Sequence, residues 1–482
     1  MFCGSLRWKA VGKYITPDDA SHAYGHRIFN DWLRRGQEFE AILTIKAFWR
    51  KCTFSESQSP GRSEAHVIVA AECRAVSQKT LILVSFSMTS GLSQLGLLLF
   101  VSALVAILTR RLRMPYTVGL VLAGMGLYFF HVRMQLHLSK DLIFSVLLPP
   151  LVFEAALCIS WRDFRKDLPV VALLATMGVV LAAAVTACGM HYALDWNWGS
   201  ATVFGVLIAA TDPVSVIATF KEAGVTGRLR LLIESESLLN DGTAAVAFVA
   251  VLSVLAGENH DVHSIAGALL LTIAGGALIG ALVGFGFMLL AGRTDDYLVE
   301  ITFTTLAAYG SFFVAEHYHC SGVLAALTAG LVVGNYRPSG SMSDAGRHAL
   351  ETFWEYAAFL ANSLIFILIG AQEAEQHFSG LWLAILVAIA LVTLGRAVAI
   401  YPLCAVFAHT PFKVESRHQH ILFWGGLRGA LALALALALP DDLPLHDAIV
   451  TITFAVVAFS VFAQGLTITP LLRRLGQIKF RP

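Results

Sequence analysis

One stretch decides how this chain folds: Glu234-Ser-Glu-Ser-Leu-Leu-Asn-Asp-Gly-Thr243, inside a segment otherwise apolar enough to cross a bilayer. An ionisable side chain at a membrane centre costs about 2.5–3.5 kcal/mol on insertion scales, so two of them with a Ser and an Asn need a functional reason. Glu236 and Asn240 are four residues apart and share a helix face, while Ser237 and Asp241 form the next row. This oxygen-rich face predicts a cation site.

The rest of the chain has the composition of a helical membrane protein. Of its 482 residues, 57% are hydrophobic and 14% are charged, whereas a soluble domain has about 25% charged residues. Because ~20 apolar residues cross the ~30 Å hydrocarbon core, the long apolar runs predict an all-α polytopic membrane protein with about 13 transmembrane helices. The thirteen spans lie at about 93–109, 115–131, 141–158, 169–190, 199–220, 231–256, 264–291, 298–317, 321–334, 353–370, 380–408, 418–439 and 446–471.

The positive charges indicate an orientation. If the loop after the first span is cytoplasmic, the cytoplasmic segments hold 18 Lys and Arg residues and the opposite side holds two, Arg133 and Lys140. Since cytoplasmic loops carry the excess of positive charge, we expect the C-terminus, with a short tail at 476–482, in the cytoplasm. Residues 1–87 would then be exported with 12 Lys and Arg and no signal peptide. We interpret them as a non-membrane extension from a misassigned start; the alternative is a cytoplasmic extension that re-enters near 67–87.

Two of the spans carry residues that interrupt a helix. In Ala210-Thr-Asp-Pro-Val-Ser215, Pro213 cannot donate to the carbonyl of Ala209 and pushes Asp212 away from helical geometry, so the fifth span should break at 211–213. The twelfth span contains Trp424-Gly-Gly-Leu-Arg-Gly-Ala430, with three glycines around Arg428. Broken helices at the membrane midplane form cation sites from carbonyls and helix ends. We expect these two spans to be the crossed discontinuous helices of an inverted repeat.

Two more charged residues lie inside apolar spans and need an explanation. Glu154 follows two prolines in Leu148-Pro-Pro-Leu-Val-Phe-Glu154, and Arg396 lies in the eleventh span. Arg396 could pair with Glu236, which would then be unavailable for transport, leaving Asp241 as the exchanging carboxylate. A carboxylate in a dry site can hold either a hard cation or a proton, and competition between the two gives exchange directly.

Together these motifs resemble the monovalent cation:proton antiporters of the NhaP/NHE type. The resemblance covers about residues 90–475, and the matching pieces occur in the family's order: Leu-Pro-Pro…Glu154, Thr211-Asp212-Pro213, Glu236-Ser237-x-x-Asn240-Asp241, Gly395-Arg396 and Gly425-Gly-Leu-Arg-Gly429. It implies an NhaA/NhaP-like fold and a homodimer. In the antiporter domain, residues 88–475, a mobile core (about 169–256 and 380–471) would move like an elevator against dimerisation helices (about 93–158 and 264–370).

The resemblance also implies roles for individual residues. Asn240 and Arg396 would hold Glu236, with Pro213 and Arg428 as further structural support. The pair Asn240-Asp241, where electrogenic relatives have two Asp residues, marks the electroneutral class that exchanges one ion for one proton. The site for Na⁺ or a proton would consist of Asp241, Asp212, the Thr211 carbonyl, Ser237 and Glu154.

Several transport functions fit these motifs to different degrees. The leading interpretation is an electroneutral Na⁺(Li⁺)/H⁺ antiporter; K⁺/H⁺ antiport is the nearest rival, because selectivity depends on a cavity size that sequence does not give. A sodium-coupled organic-anion symporter could share the architecture, although the Glu236, Asn240, Asp241 and Arg396 set argues against it. A cation channel would show repeated pore-lining elements, and none are visible.

The remaining features limit the partners. The sequence contains neither His-Glu-x-x-His nor Gly-x-Ser-x-Gly, and its cysteines form no CxxC pair. We therefore expect a transporter rather than an enzyme, with no catalytic residues and no cofactor, and with Na⁺ (or Li⁺ or K⁺) and H⁺ as cargo. A basic patch for nucleic acid is missing, so the expected partners are membrane lipid and a second copy of the chain. The end at Pro482, without a long regulatory tail, favours a multi-pass protein of a prokaryotic plasma membrane.

Overall fold

The computed structural model describes residues 94–477 with short gaps. The gaps fall at 113, 131–137, 213–215, 218–219, 221–224, 226, 258–261, 295, 336–343, 377 and 379. Residues 1–93 and 478–482 lie outside the described part, so the interpretation of 1–87 stays a prediction, and Arg133 and Pro213 also fall outside it.

Helices make up nearly all of the described chain. Eight of them are long and apolar enough to cross a membrane, and each of the thirteen predicted spans coincides with at least one helix. The chain is therefore a multi-pass helical membrane protein, as predicted. In order the helices are α1 (Gln94–Leu112), α2 (Tyr116–Phe129), α3 (Leu148–Leu157, after a π-helical stretch Leu142–Leu147), α4 (Trp161–Leu194), α5 (Trp198–Leu207), α6 (Arg228–Leu255), α7 (Val262–Ala291), α8 (Tyr297–His317), α9 (Gly322–Asn335), α10 (Asp344–Glu375), α11 (Trp382–Val406), α12 (Ser416–Trp424), α13 (Ala430–Ala436), α14 (His446–Phe459, followed by a π-helical turn Ser460–Gln464) and α15 (Gly465–Arg474).

The helices pack in groups that place the polar residues between them. α4 packs along α11 and against α5 and α6, whereas α10 packs along α2 and against α3, and α7 and α8 both pack against α9. Asn197 begins α5 by accepting a hydrogen bond from the Ser200 amide at 2.8 Å, as an N-cap residue does. The division into a mobile core and dimerisation helices stays a prediction.

Two breaks in the helical structure meet inside the molecule. α5 ends at Leu207 and the chain continues without helix to Asp212, while α12 ends at Trp424 and α13 begins at Ala430. The Asp212 amide donates to the Leu427 carbonyl at 2.8 Å, so the two breaks pair as a short antiparallel bridge. These are the crossed discontinuous helices that the sequence predicts.

The first break begins earlier than the expected 211–213. A carbonyl at Ala209 cannot be satisfied by residue 213, because proline has no N–H. Arg428 supplies the missing donor: its Nη1 donates to the carbonyls of Ala209 at 2.6 Å and Ala210 at 3.0 Å. Arg428 thus satisfies a backbone carbonyl that a regular helix would leave unpaired here, and the chain runs without helix from Leu207 to its contact with the second break at Leu427.

Candidate cation site

The polar stretch of α6 crosses the first break at the level of Thr211. Glu236, Ser237 and Asn240 are each at most 2% exposed. The Ser237 hydroxyl lies 3.1 Å from the Thr211 hydroxyl, and Asn240 Nδ2 donates to Thr211 Oγ1 at 3.2 Å. α6 thus holds the break through side-chain hydrogen bonds, and the Asn240 Oδ1 atom remains buried with no hydrogen-bond partner among the described residues.

Glu236 is fully occupied by partners on α11 and on its own helix. Arg396 Nη1 and Nη2 donate to Glu236 Oε1 and Oε2 at 2.7 and 2.8 Å, a bidentate pair. Asn240 Nδ2 adds a longer contact to Oε1 at 3.3 Å. Arg396 Nη2 also donates to the Leu422 carbonyl at 3.0 Å, so α6, α11 and α12 meet at one ion pair. Removing one partner of such a buried pair typically destabilises a protein by about 3–5 kcal/mol.

Asp241 has different surroundings, although it lies only one turn further along α6. Its Oδ1 atom is buried and has no hydrogen-bond partner in the described part of the chain. Its carboxylate interacts electrostatically with Asp212 and with the backbone of Thr211. Because a buried carboxylate is expensive unless a charge or a proton compensates it, this group is suited to hold a cation or a proton.

A cavity of about 270 Å³ lies in front of these residues. It is bounded by α2, α3 and α10 on one side and by α6 and the two breaks on the other. Ser237 does not line it and lies behind the wall, within hydrogen-bond distance of Thr211. Four of the five predicted ligands therefore line this cavity, with Glu154 on the α3 side and Thr211, Asp212 and Asp241 on the other side, and Ser237 lies next to it. The polar residues that line the cavity are Tyr116, Thr117, Glu154, Thr211, Asp212, Asp241, Glu355 and Asn362.

Glycine in the second break allows the breaks to approach closely. A Cβ atom on residue 429 would collide with the carboxylate of Asp212. Gly429 lines the same cavity, so the position of the Asp212 carboxylate depends on a residue without a side chain. The predicted contribution of Pro213 falls outside the described residues and stays a prediction.

Sequence reasoning missed Tyr116 and Thr117 on α2, and it also missed two polar residues on α10, Glu355 and Asn362. They are seven residues apart, with Phe359 between them, and this spacing puts all three on one helix face. Glu355 is exposed and Asn362 is half-buried, so the polar line runs from the exposed end of the cavity inward. Their shared helix face was a usable signal, but Glu355 lies beside other charged residues at the start of a span and resembles an ordinary flanking residue.

The chain is similar in sequence to known membrane transport proteins. The family model described as "Sodium/hydrogen exchanger, transmembrane" matches residues 97–474. The low-affinity Na⁺/H⁺ antiporter NhaS1 of Synechocystis is 37% identical over 408 residues, which is 83% of this chain and 77% of that protein. The Na⁺/H⁺ antiporter NhaH of Halobacillus aidingensis is 34% identical over 396 residues, 80% of this chain and 97% of that protein.

A solved structure shows the same fold. The sodium proton antiporter MjNhaP1 from Methanocaldococcus jannaschii at pH 8 superposes with a TM-score of 0.64 at 18% sequence identity. The match covers 81% of this chain and 99% of MjNhaP1. At this identity the match shows that the two proteins share a fold, and it does not assign roles to individual residues.

Proposed function

This chain belongs to the sodium/hydrogen exchanger family, and on that premise we propose that it is an electroneutral Na⁺(Li⁺)/H⁺ antiporter. One observation carries the proposal: Glu236 and Asp241, two of the acidic residues of α6, have opposite environments. Glu236 is saturated by Arg396 and Asn240, whereas Asp241 faces the cavity with an unpaired oxygen atom. Only one of the two is then available for exchange. The names of the relatives, which are Na⁺/H⁺ antiporters, support the identity of the cargo.

The cation would bind to oxygen atoms on the cavity wall. Carboxylate, carbonyl and hydroxyl oxygens are the ligands that hard cations prefer. Asp241, Asp212 and Glu154 supply carboxylates that line the cavity. Thr211 and Ser237 supply the backbone carbonyl and the hydroxyl that complete the predicted set. Asn240 Oδ1, which is unpaired and adjacent, is a further candidate.

Proton exchange follows from competition at Asp241. When the cation leaves, a proton takes its place on the carboxylate, because a bare charge in a dry site is costly. The neighbouring position is the neutral amide of Asn240, so it adds no second titrating charge. The site therefore carries the same net charge with Na⁺ or with H⁺, and each cycle moves one cation against one proton.

Transport also requires that the cavity alternate between the two sides of the membrane. We place the mobile core at 169–256 and 380–471 and expect it to slide against the dimerisation helices in a homodimer. Glu355 lies on the same end of α10 as Arg347. Because cytoplasmic loops carry the excess of Lys and Arg, we assign Arg347 and this end of α10 to the cytoplasm. The cavity thus opens toward the cytoplasm, with the C-terminus on the same side, in a prokaryotic plasma membrane.

The test is exchange by purified protein in proteoliposomes with an imposed pH gradient. We expect Na⁺ or Li⁺ to collapse the gradient, reported by dequenching of a pH dye, and Asp241→Asn to abolish this response, because an amide cannot carry the exchanged proton. Asp442→Asn, the same substitution at an exposed position, serves as the control and should transport normally. A response to K⁺ alone would favour the rival K⁺/H⁺ exchange, and normal exchange by Asp241→Asn would contradict the proposed site.

A further inference from the structure

A second, much smaller cavity lies beside the Arg396 guanidinium. Its volume is about 10 Å³, at the lower end of the ~10–15 Å³ that one water molecule needs. It is separate from the large cavity in front of Asp241, and the two cavities have no lining residue in common. Its polar lining residues are Thr393, Arg396, Arg428, Ser460 and Gln464.

Arg396 directs an unpaired donor group to this region. The residue is 6% exposed, and its two terminal nitrogens are taken by Glu236 and by the Leu422 carbonyl. Its Nε atom is buried without a hydrogen-bond partner in the described part of the chain. A buried N–H of a charged group that stays unpaired is strongly unfavourable, and such groups in native proteins commonly bond to buried water.

The Arg396 Nε atom lies against Gly426, where the lack of a side chain makes room for it. A Cβ atom on residue 426 would collide with Arg396 Nε, and Gly426 lines the small cavity. The second break thus makes room for the Arg396 guanidinium, which any side chain at position 426 would displace.

The opposite wall comes from the π-helical turn between α14 and α15. Ser460 and Gln464 begin and end this turn, and they are 2% and 6% exposed. Neither side chain forms a hydrogen bond with the described residues, although both are polar and line the cavity. π-Helical turns are rare and often occur at functional sites.

We propose that this cavity is a site for one water molecule, and that the π-helical turn Ser460–Gln464 positions Arg396 through it. The water accepts a hydrogen bond from Arg396 Nε. It donates to the Ser460 hydroxyl and to the side-chain amide oxygen of Gln464. Arg428, on the same cavity, offers a second donor, so the water has the two to four polar partners that buried waters require. Ser460 and Gln464 are positioning residues, because they act on Glu236 only through Arg396.

This arrangement would extend the ion pair to a fourth helical element. The pair joins α6 to α11 and α12, and the water joins α11 to the turn between α14 and α15. A change in the turn would then alter the orientation of Glu236 and, through α6, the position of Asp241. The transport consequence rests on the proposed antiport function, whereas the water site itself does not.

The direct test is a structure of the full chain at a resolution that shows ordered water. We expect a density peak at roughly 2.7–3.2 Å from Arg396 Nε and within hydrogen-bond distance of Ser460 and Gln464. A direct contact between Gln464 and Arg396, a cavity without density, or a peak that strengthens when a heavier halide replaces chloride would each overturn the proposal.

A thermal-unfolding cycle tests the same inference without transport. We expect Ser460→Ala and Gln464→Leu each to lower the Tm by roughly 2 °C, and to have no further effect in an Arg396→Lys background, because lysine has no Nε–H in that place. The control is Thr453→Val on α14, whose hydroxyl bonds to the Ile449 carbonyl of its own helix, and which should act equally in both backgrounds. Equal Tm shifts for Gln464→Leu in both backgrounds would overturn the proposal.

Transport gives a third measurement, and it separates the two proposals. We expect Gln464→Leu to raise the apparent KM for Na⁺ several-fold with kcat nearly unchanged, while Thr453→Val leaves both unchanged. An unchanged KM for Gln464→Leu would contradict the positioning role. If the unmodified protein showed no Na⁺/H⁺ exchange, the proposed function would fail, whereas the density and the unfolding cycle would still decide on the water site.

Discussion

Glu236 and Asp241 lie five residues apart on α6 and meet different partners. The sequence alone indicated that Arg396 needs a partner, because a charge buried in a membrane is otherwise too costly. It did not indicate that one Asn240 nitrogen would contact both Glu236 and Thr211 and leave the amide oxygen unpaired. Such a contact depends on where the extended break crosses α6, and this crossing is a long-range feature.

A single methyl group at residue 429 tests the geometry of the site. We expect Gly429→Ala to raise the apparent KM for Na⁺ on the order of tenfold or more, because the new Cβ collides with the Asp212 carboxylate and small displacements of a binding group are costly. Gly286→Ala on α7, where a Cβ would meet open space, is the matched control. Uptake of ²²Na⁺ into proteoliposomes measures both variants, and an unchanged KM for Gly429→Ala would show that Asp212 is not a ligand.

At the scale of helices, the sequence predicted which elements break and missed where the break begins. Pro213 and the glycines around Arg428 are local signals, and each indicates an interruption in its own span. Beyond the end of α5 at Leu207, the carbonyls of Ala209 and Ala210 accept hydrogen bonds from Arg428, which lies more than 200 residues away in the sequence. Local propensity contains no information on such a partner.

α10 illustrates a second limit of sequence reasoning. Glu355 and Asn362 share a helix face, but only the packing of α10 along α2 and α3 shows that this face borders the cavity. The exposed carboxylate of Glu355 then lies at the end of the cavity where a cation from solution would enter. A fixed negative charge at an entrance raises the local concentration of cations, and added salt screens this effect.

Two neighbouring glutamates on α10 allow this idea to be tested with matched substitutions. We expect Glu355→Gln to raise the apparent KM for Na⁺ about two- to fivefold at low ionic strength, and less when an impermeant organic salt is added. Glu351→Gln removes the same charge one turn away, where the carboxylate pairs with Arg347 at 2.8 Å and does not line the cavity. Equal KM values for the two variants would remove Glu355 from the entry path.

At the scale of the whole molecule, apolar length and charge asymmetry were sufficient to predict the fold class. All thirteen predicted spans coincide with helices, since hydrophobic length is the dominant constraint on a membrane chain. The domain division, the dimer and the orientation remain predictions, because they depend on surfaces that meet lipid or a second copy of the chain.

The stoichiometry is the property of the whole molecule that follows most directly from the site. Glu236 is tied to Arg396, residue 240 is an amide, and Asp241 has an unpaired buried oxygen atom. If Asp241 is the exchanging carboxylate, as we propose, one cation replaces one proton and the loaded site carries the same charge in both directions of transport. Membrane voltage should therefore neither drive nor oppose the cycle.

The most direct measurement is the rate of Na⁺-induced collapse of a fixed pH gradient in proteoliposomes at several imposed voltages. Valinomycin with defined K⁺ gradients sets the voltage, and Asp241→Asn liposomes give the background. We expect the same initial rate at every voltage, together with one H⁺ moved for each Na⁺. A rate that rises or falls with the imposed voltage would contradict exchange of one cation for one proton at Asp241.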